Sequence, residues 1–463
     1  MFEGITQRME VAKAAARLDI FDITYERSNE TLAILDLDSS ANPRKGPLAR
    51  LASYGYWLMR YAAASCRHRG PSIPPRAVVF FASSKNEYDS LSPISNRLED
   101  PHFIGPWGVA RNNLSLFRAH WLGIFFLPLV LVRRWQSSGY RRASFAYILD
   151  QYLLGYGAYC AARMWLRSQR PALLIVSNHL AVINRALLKA AQDESITRLY
   201  FLHATISDVY PPLDTEYALL EGMDTLKKYD LLGSSGTRTF LVGMAKHDRC
   251  KSLINTSAQV RTVGLCINGL DPTERVAELC ACIARSLPAL RVIVRPHPAD
   301  RRARHWAQLA GSLDFEFSDW KEEAAFDFLS RVDVNIAGDS GIHLEAALLN
   351  VMPLYYAFDH KVHDLYGFLR NGLVELARDP QACTSWLRKL IESGRPPCRH
   401  RAKRYCATVD TEWDWRSAEL AHSIIRRIEA DGCSRTDGWR RITAIGIEAY
   451  EPDAAATAST ADS

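Results

Sequence analysis

Between residues 172 and 358, short apolar runs alternate with longer segments whose apolar residues recur at helical spacing. The runs have the length of buried strands and cover residues 172–177, 198–203, 262–268, 291–294, 332–336 and 354–358. Strands that are joined through helices run parallel, because a tight turn connects only antiparallel neighbours. The alternation therefore predicts an α/β fold with parallel sheets.

The length of the chain indicates more than one domain. A chain of 463 residues exceeds the about 250–300 residues that a single hydrophobic core usually organises. Because a second α/β series starts near residue 261, we predict an N-terminal domain over residues 1–250, with helical additions, and a C-terminal domain over residues 251–435. Residues 436–463 end in small, polar side chains and are predicted to be a disordered tail.

The composition indicates which binding partners and which cellular compartment to expect. The 57 Lys and Arg against 51 Asp and Glu give a net charge of +6, which argues against a nucleic-acid binder and is compatible with an anionic substrate or membrane surface. The ten cysteines form no C-x-x-C pair, as expected of free thiols in a reducing compartment. With no secretory signal in the N-terminal sequence, we expect a cytoplasmic protein.

The segment from Arg295 to Pro298 directly follows the predicted strand 291–294. Ligands of parallel sheets bind beyond the carboxyl ends of the strands, and the two prolines restrict the backbone at this point. The imidazole of His297 and the guanidinium of Arg295 would suit a phosphate oxygen. The same residues also fit a rigid turn with a surface histidine, and the pattern leaves both interpretations open.

A glycine-rich turn, composed of Gly338, Asp339, Ser340 and Gly341, connects a predicted strand to the next predicted helix. Ser340 suits the N-cap position of that helix, which needs no function. Such a turn also exposes backbone N–H groups that bind anions. Glu345 lies further along the same helix. The glycines do not have the G-x-G-x-x-G spacing of a dinucleotide site.

His203 ends the predicted strand 198–203, and Asp208 follows it closely. A histidine titrates near neutral pH, so one at a strand tip that faces a cleft can act as a general base. We therefore predict His203 and Asp208 as catalytic residues, although a single histidine in such a place can equally be structural.

Two segments, RVIVRPHP at 291–298 and GDSGIHLEAALLNVMPLYY at 338–356, resemble the donor-binding domain of GT-B transferases. More narrowly, they resemble the bacterial capsule, teichoic-acid and sialyltransferase-like enzymes that carry an HP motif. In the first half, residues 200–203 resemble the strand before a Gln-His-Gly turn in these enzymes, and LVGMAKHD at 241–248 resembles their linker segment. The resemblance implies a GT-B fold, in which two Rossmann-like domains face each other across a cleft.

The same resemblance implies roles for individual residues. His297 would contact the phosphate of the donor, Ser340 and the N–H groups of its helix would bind the same phosphates, and Glu345 would accept hydrogen bonds from ribose hydroxyls. The donor-binding set is completed by Arg295, Gly338, Asp339 and Gly341. His203 would lie on the acceptor side of the cleft. No metal and no cofactor are expected, and the substrate would be a nucleotide-activated sugar, CMP- or CDP-linked.

The function that we predict is transfer of a sugar or polyol-phosphate from a nucleotide-activated donor to a glycan or lipid-linked acceptor. Two alternatives stay open: a sugar-nucleotide epimerase, and a non-catalytic GT-B-like protein of assembly or membrane docking. The apolar run Trp121–Val132 is shorter than the about 20 residues that span a bilayer. With its flanking arginines, the segment from Trp121 to Trp135 is expected either to dock on the inner face of a membrane or to be a buried core helix.

Overall fold

The computed structural model describes residues 2–25, 46–65, 73–105, 112–113, 115–202, 205–207, 210–234, 236–359, 362–432, 438–443 and 447–452. The strands are β1 (Val78–Phe81), β2 (His102–Gly105), β3 (Asn112–Asn113), β4 (Leu173–Val176), β5 (Thr197–Phe201), β6 (Tyr217–Leu220), β7 (Arg238–Leu241), β8 (Thr262–Ile267), β9 (Arg291–Pro296), β10 (Glu316–Phe317), β11 (Val334–Ala337), β12 (Met352–Tyr356), β13 (Glu375–Ala377), β14 (Trp439–Thr443) and β15 (Glu448–Pro452).

The helices are α1 (Phe2–Ala16), α2 (Ile20–Ile23), α3 (Pro47–Ser65), α4 (Lys85–Ser95), α5 (Leu116–Ile124), α6 (Leu127–Gln136), α7 (Gly139–Ser144), α8 (Leu149–Gln169), α9 (Val182–Asp193), α10 (Met223–Leu231), α11 (Thr273–Ser286), α12 (Ala303–Ser312), α13 (Ala325–Leu329), α14 (Ile342–Leu348), α15 (Pro380–Ser393) and α16 (Ser417–Asp431). Segments Ala245–Leu253 and Arg399–Arg404 are 3₁₀ helices. The strands and helices predicted between residues 172 and 358 are present, with ends shifted by a few residues.

The described strands form two sheets. The first has the order β14-β15-β7-β6-β5-β4-β1-β2-β3, and its pairs are parallel except for the antiparallel pair β14–β15. The second has the order β10-β9-β8-β11-β12-β13 and is parallel throughout. The predicted α/β class with parallel sheets is confirmed.

Both faces of the first sheet are buried. Phe81 and Val176 join one core with α8 and α9, whereas their neighbours Phe80 and Ile175 join a second core with α4 and α16. Successive side chains of a strand point to opposite faces, and here helices cover each face. This explains why the strands appear in the sequence as continuous apolar runs rather than as alternating ones.

The second sheet has the same construction. On one face, Val263 and Val294 pack with Trp306 and the apolar side of α11. On the other face, Ile293 packs with the phenylalanines of α13 and with α14. The sheets of the two domains thus have separate cores, each with helices on both sides.

The end of the chain returns to the first domain. Helix α16, which falls within the predicted C-terminal domain of residues 251–435, packs in the core of the first sheet. Residues 436–463 were expected to be a disordered tail, but β14 and β15 extend the edge of the first sheet beside β7. Trp439 and Tyr450 pack on Phe240 of that strand. The sequence does not predict these strands, because their burial depends on β7, which lies about 200 residues earlier in the chain. Residues 453–463 lie outside the described part.

Helix α8 is buried along most of its length and crosses α5 at backbone contact. A Cβ atom added to Gly157 of α8 would lie 1.8 Å from the carbonyl oxygen of Ala119. A Cβ atom added to Gly123 of α5 would lie 2.4 Å from the carbonyl oxygen of Leu153. Glycine at both positions is therefore what permits this crossing.

We expect Gly157→Ala to lower the melting temperature, because the new methyl group meets backbone atoms that cannot rotate away. Overpacking of this kind typically costs about 1–3 kcal/mol. The control is Gly55→Ala in α3, where an added Cβ meets no atom within 4 Å and helix propensity improves by about 1 kcal/mol. Thermal unfolding followed by circular dichroism compares the two variants. A Gly157→Ala variant as stable as the wild type would contradict the close crossing.

Candidate active site

A cavity of about 550 Å³ lies where the carboxyl ends of strands from the two sheets meet. It is lined by Asn86, Lys246, Cys266, Ile267, Asn268, Arg295, Pro296, His297, Pro298, Ala325, Ser340, Gly341, Ile342, Glu345 and Tyr366. Most of these follow β1, β7, β8, β9 or β11, as expected for a site between parallel sheets. The structure thus brings together Arg295, His297, Ser340, Gly341 and Glu345 of the predicted donor-binding set.

His297 lies exposed at the cavity, directly after β9. Its backbone N–H donates to the carbonyl oxygen of Ile267 at 2.7 Å, which continues the β8–β9 pairing. The Nδ1 atom accepts a hydrogen bond from the N–H of Ala299 at 3.1 Å, so the neutral ring carries its proton on Nε2. Partial desolvation lowers the pKa of His297, and the nearby Asp300 carboxylate offsets part of the shift. The ring is therefore a neutral donor near pH 7.

Arg295 lines the cavity, but its guanidinium is bound inside the second domain. Nη1 donates to Ser318 Oγ at 2.6 Å, Nη2 donates to the carbonyl oxygen of Glu323 at 2.9 Å, and the guanidinium lies over the ring of Phe328. Burial lowers the pKa of Arg295. The arginine thus links the end of β9 to Ser318 and Glu323.

The glycine-rich turn divides into two parts. Ser340 and Gly341 line the cavity, whereas Gly338 and Asp339 do not. Asp339 Oδ2 accepts the backbone N–H of Leu365 at 2.9 Å, which fastens the turn to a later loop. The prediction that Ser340 caps the helix is wrong, because the cap is Gly341 and no side chain bonds to the first turn.

Gly338 lies so close to the buried side chain of Asp271 that a larger residue would not fit without movement. A Cβ atom at this position would lie 2.8 Å from Oδ1 of Asp271. The other oxygen of Asp271 accepts the N–H of Asn268 at 2.7 Å, at the end of β8. Burial raises the pKa of Asp271 to about 7, against the lowering effect of that hydrogen bond and of Arg302. The turn and the β8 end are therefore packed around one carboxyl group.

Glu345 of α14 is paired with Lys246, which precedes the second sheet in the chain. Lys246 Nζ donates to Glu345 Oε1 at 2.8 Å, and both residues line the cavity. Burial lowers the pKa of Lys246, but Glu345 and Glu221 raise it more, so the ammonium stays charged. Lys246 lies in the 3₁₀ helix Ala245–Leu253, between β7 of the first sheet and β8 of the second. The ion pair thus ties this connection to α14.

Glu221 is a buried carboxyl group that directly follows β6. Its Oε2 atom has no hydrogen-bond partner among the described residues. Burial raises the pKa of Glu221 to about 8; Lys246 and Lys228 lower it and Glu345 raises it. A carboxyl group with such a pKa is largely protonated at neutral pH, and groups of this kind are frequent in active sites.

The predicted catalytic residues His203 and Asp208 lie outside the described residues. Sequence reasoning missed Glu221, Lys246 and Asn86. Glu221 and Lys246 could have been found by the rule that led to His297, because each follows the end of a strand of a parallel sheet. Within the described ranges, no group of three or more His, Cys, Asp or Glu side chains is arranged to hold a metal ion.

No protein-family model matches this sequence, and no curated protein is similar to it in sequence at a significant level. Solved structures are similar in fold. An S. aureus MnaA structure with UDP has a TM-score of 0.53 at 11% identity, over 78% of this chain and 98% of that chain. UDP-GlcNAc 2-epimerase from Neisseria meningitidis, bound to UDP-GlcNAc, has a TM-score of 0.51 at 11% identity, over 76% and 100%.

A structure of the wall teichoic acid polymerase TagF has a TM-score of 0.48 at 10% identity, over 84% of this chain and 99% of that chain. At such identities a similarity establishes the fold alone, and the first two structures carry it. The predicted fold class is confirmed: the chain has a GT-B-like α/β fold with two Rossmann-like sheets on either side of the cavity.

Glu221 gives a test of the electrostatics of the site. Its pKa in the folded protein is about 8, above the ordinary value of 4.5, so the folded protein binds an extra proton between these pH values and loses stability as the pH rises through them. Glu221→Gln removes this loss. We expect the variant to gain stability over the wild type as the pH is raised from 5 to 9.

Urea unfolding at a series of pH values measures this difference. The control is Glu392→Gln, which replaces an exposed carboxyl group on α15 and should parallel the wild type. If wild type and Glu221→Gln have parallel stability curves, the raised pKa is refuted.

Proposed function

We propose that the protein binds a nucleotide-activated donor in the cavity and transfers a sugar or polyol-phosphate from it to a surface-glycan acceptor, of capsule, lipopolysaccharide or teichoic-acid type. One observation carries this proposal: the same cavity is lined by a histidine N–H donor, a glycine-rich turn and a carboxylate. The volume of about 550 Å³ is within the range of about 300–1,000 Å³ that is usual for ligand sites.

Each part of the cavity suits one part of such a donor. The Nε2–H of His297 and the backbone N–H groups of the glycine-rich turn would donate to phosphate oxygens. Glu345 would accept hydrogen bonds from ribose hydroxyls, and Lys246 beside it would offset negative charge on the phosphates. Because Lys246 lies between the first and the second sheet in the chain and Glu345 belongs to α14, a nucleotide bound here would lie at the junction of the two domains.

In the proposed transfer, an acceptor hydroxyl oxygen bonds to the anomeric carbon of a sugar donor, or to the phosphorus of a polyol-phosphate donor. The bond from that atom to the phosphate oxygen of the nucleotide breaks, and the nucleotide leaves with its electron pair. His297 and the turn would stabilise the charge that develops on this leaving group. The proton of the acceptor would pass to a base, for which His203, with Asp208 near it, remains the proposal.

Epimerisation of a nucleotide sugar is the second candidate function. The N. meningitidis structure, which shares the fold at a TM-score of 0.51, is a UDP-GlcNAc 2-epimerase. Epimerisation needs groups that remove and return a proton, and Glu221 and Glu345 lie around Lys246. This candidate requires the nucleotide sugar alone, whereas transfer requires an acceptor.

A nucleotide-binding screen tests whether the cavity binds a nucleotide, which both candidate functions require. Thermal unfolding is measured with CMP, CDP, UDP and GDP; a ligand at 100 times its Kd adds about 2.7 kcal/mol of stability. We expect stabilisation by a cytidine nucleotide. If none of the four nucleotides raises the melting temperature, the cavity is not a nucleotide site.

Product analysis then separates the candidate functions. The protein is incubated with CDP-glycerol or with CMP- and UDP-linked sugars, with and without a glycolipid acceptor, and the products are followed by NMR. Nucleotide release that requires the acceptor supports transfer, and a change in the sugar configuration without acceptor supports epimerisation. Nucleotide binding with neither reaction would support a non-catalytic assembly protein.

We expect His297→Ala to weaken nucleotide binding without loss of stability, because the side chain is exposed and its bond to Ala299 is local. Loss of a hydrogen bond to a charged phosphate costs about 1.5–3 kcal/mol, or roughly 10- to 150-fold in Kd. The control is His305→Ala, an exposed histidine on α12. Calorimetric titration measures both variants, and equal affinities would remove His297 from the site.

We expect Glu345→Gln to raise the KM for the donor more than it lowers kcat. A carboxylate that accepts ribose hydroxyls binds the ground state and the transition state alike, and loss of such binding appears in KM. Steady-state kinetics with varied donor concentration gives both constants. The control is Glu375→Gln, an exposed carboxylate at the start of β13. A fall in kcat alone would instead mean that Glu345 takes part in the chemical step.

A further inference from the structure

Helices α5 and α6 are bent by 62° relative to each other and present an apolar face to solvent. Their opposite face, which includes Ala119, Gly123 and Val130, is buried, and α5 packs on α8. On each helix the exposed face carries large apolar side chains three or four residues apart: Trp121 with Ile124 and the C-cap residue Phe125 on α5, and Leu131 and Val132 with Trp135 on α6. Exposed fractions of 50% for Trp121 and 80% for Trp135 show that the fold leaves this stripe uncovered.

The neighbouring helix α3 carries exposed aromatic side chains as well. It is held against α5 by Tyr54, whose hydroxyl donates to the carbonyl oxygen of His120 at 2.6 Å. Beyond this contact, Tyr56, Trp57 and Met59 are exposed. Isolated apolar residues are normal on a protein surface, but here large apolar side chains on three adjoining helices form a patch.

The charges on these helices have one sign. The segments 47–65 and 116–149 contain no Asp or Glu, although the chain has 51 of them. They contain arginines throughout, at positions Arg50, Arg60, Arg118, Arg133, Arg134, Arg141 and Arg142. Arg134, Arg141 and Arg142 are exposed beside the apolar stripe. A surface that is both apolar and exclusively basic is complementary to an anionic layer with an apolar interior.

We propose that α3, α5, α6 and α7 form a docking surface for a bilayer that contains anionic lipids. Tryptophan and tyrosine rings are favoured at the headgroup level, and arginines attract anionic headgroups. The helices would lie in the plane of the interface, with the apolar stripe among the upper acyl chains.

The lengths of the helices are consistent with helices that lie on a bilayer rather than cross it. In the described part of the chain no single helix is long and apolar enough to cross a membrane, and only the bent pair α5–α6 passes that test jointly. A pair bent by 62° that already buries one face against α8 presents only its other face to lipid. That geometry suits a helix pair lying on a bilayer.

A second copy of the chain suits this surface less well than lipid does. Two copies that met through the stripe would bring their arginines together, with no acidic residue in either segment to pair with them. Like charges brought together at an interface are destabilising. An anionic headgroup layer, in contrast, neutralises Arg134, Arg141 and Arg142 together.

The docking surface is separate from the candidate active site. None of the described residues of α3, α5, α6 or α7 lines the cavity. The proposal therefore stands or falls independently of the nucleotide chemistry, although a lipid-linked acceptor would require an enzyme at a membrane.

Vesicle flotation with the full chain tests the proposal. Vesicles of phosphatidylcholine alone are compared with vesicles that also contain phosphatidylglycerol, at low and at high salt. We expect binding to the anionic vesicles that falls as salt is raised, because screening weakens surface charge interactions. We expect Arg134→Glu/Arg142→Glu to reduce the partition coefficient at least about tenfold, and Trp135→Ser to reduce it at any salt concentration.

The matched control is Arg388→Glu/Lys389→Glu, which makes the same change of charge at exposed positions of α15 in the second domain. It should bind vesicles far better than the docking-surface variant. Circular dichroism verifies that all variants are folded. An intact protein that stays in solution with anionic vesicles at low salt overturns the proposal. So would a dimer of the wild type that Trp135→Ser dissociates while vesicle binding is unchanged.

Discussion

The direction of the strands is the constraint on which the rest of the structure depends. Because all strand pairs except β14–β15 are parallel, each connection between parallel neighbours must cross back over a face of the sheet, usually as a helix. The crossings bury both faces and collect the residues that follow each strand at one edge. Two sheets built in this way place those edges on either side of one cavity. His297, the glycine-rich turn and Lys246 are neighbours for this reason alone.

Burial then decides the charge states around the cavity. Removal from water raises the pKa of Glu221 and of Asp271 toward neutrality, while Lys246 keeps its charge because Glu345 is 2.8 Å away. Arg295 is buried and has its partners inside the second domain. The cavity is thus lined by a neutral imidazole and a paired lysine. Glu221 interacts electrostatically with that lysine, and Asp271 is hydrogen-bonded to Asn268 of the lining. A bound phosphate would add negative charge to the cavity and would therefore change the pKa values of these groups.

The helical additions of the first domain have a different physical basis. Gly157 and Gly123 let α8 and α5 approach at backbone distance, so that α5 and α6 are held with one face inward. The other face keeps its tryptophans and arginines in solvent. Such a face adds nothing to the stability of the fold, since exposed apolar area is not removed from water. Its proposed use lies at a lipid surface rather than in the fold.

The sequence by itself determined the α/β class, the positions of most strands and helices between residues 172 and 358, and several residues of the cavity. These properties depend on local periodicity and on the rule that sites follow the ends of parallel strands. Only the tertiary structure decided that Glu345 pairs with Lys246, 99 residues away, that Arg295 turns inward, and that β14 and β15 extend the edge of the first sheet. Each of these depends on contacts between distant parts of the chain, and no local pattern encodes which distant partner a side chain will meet.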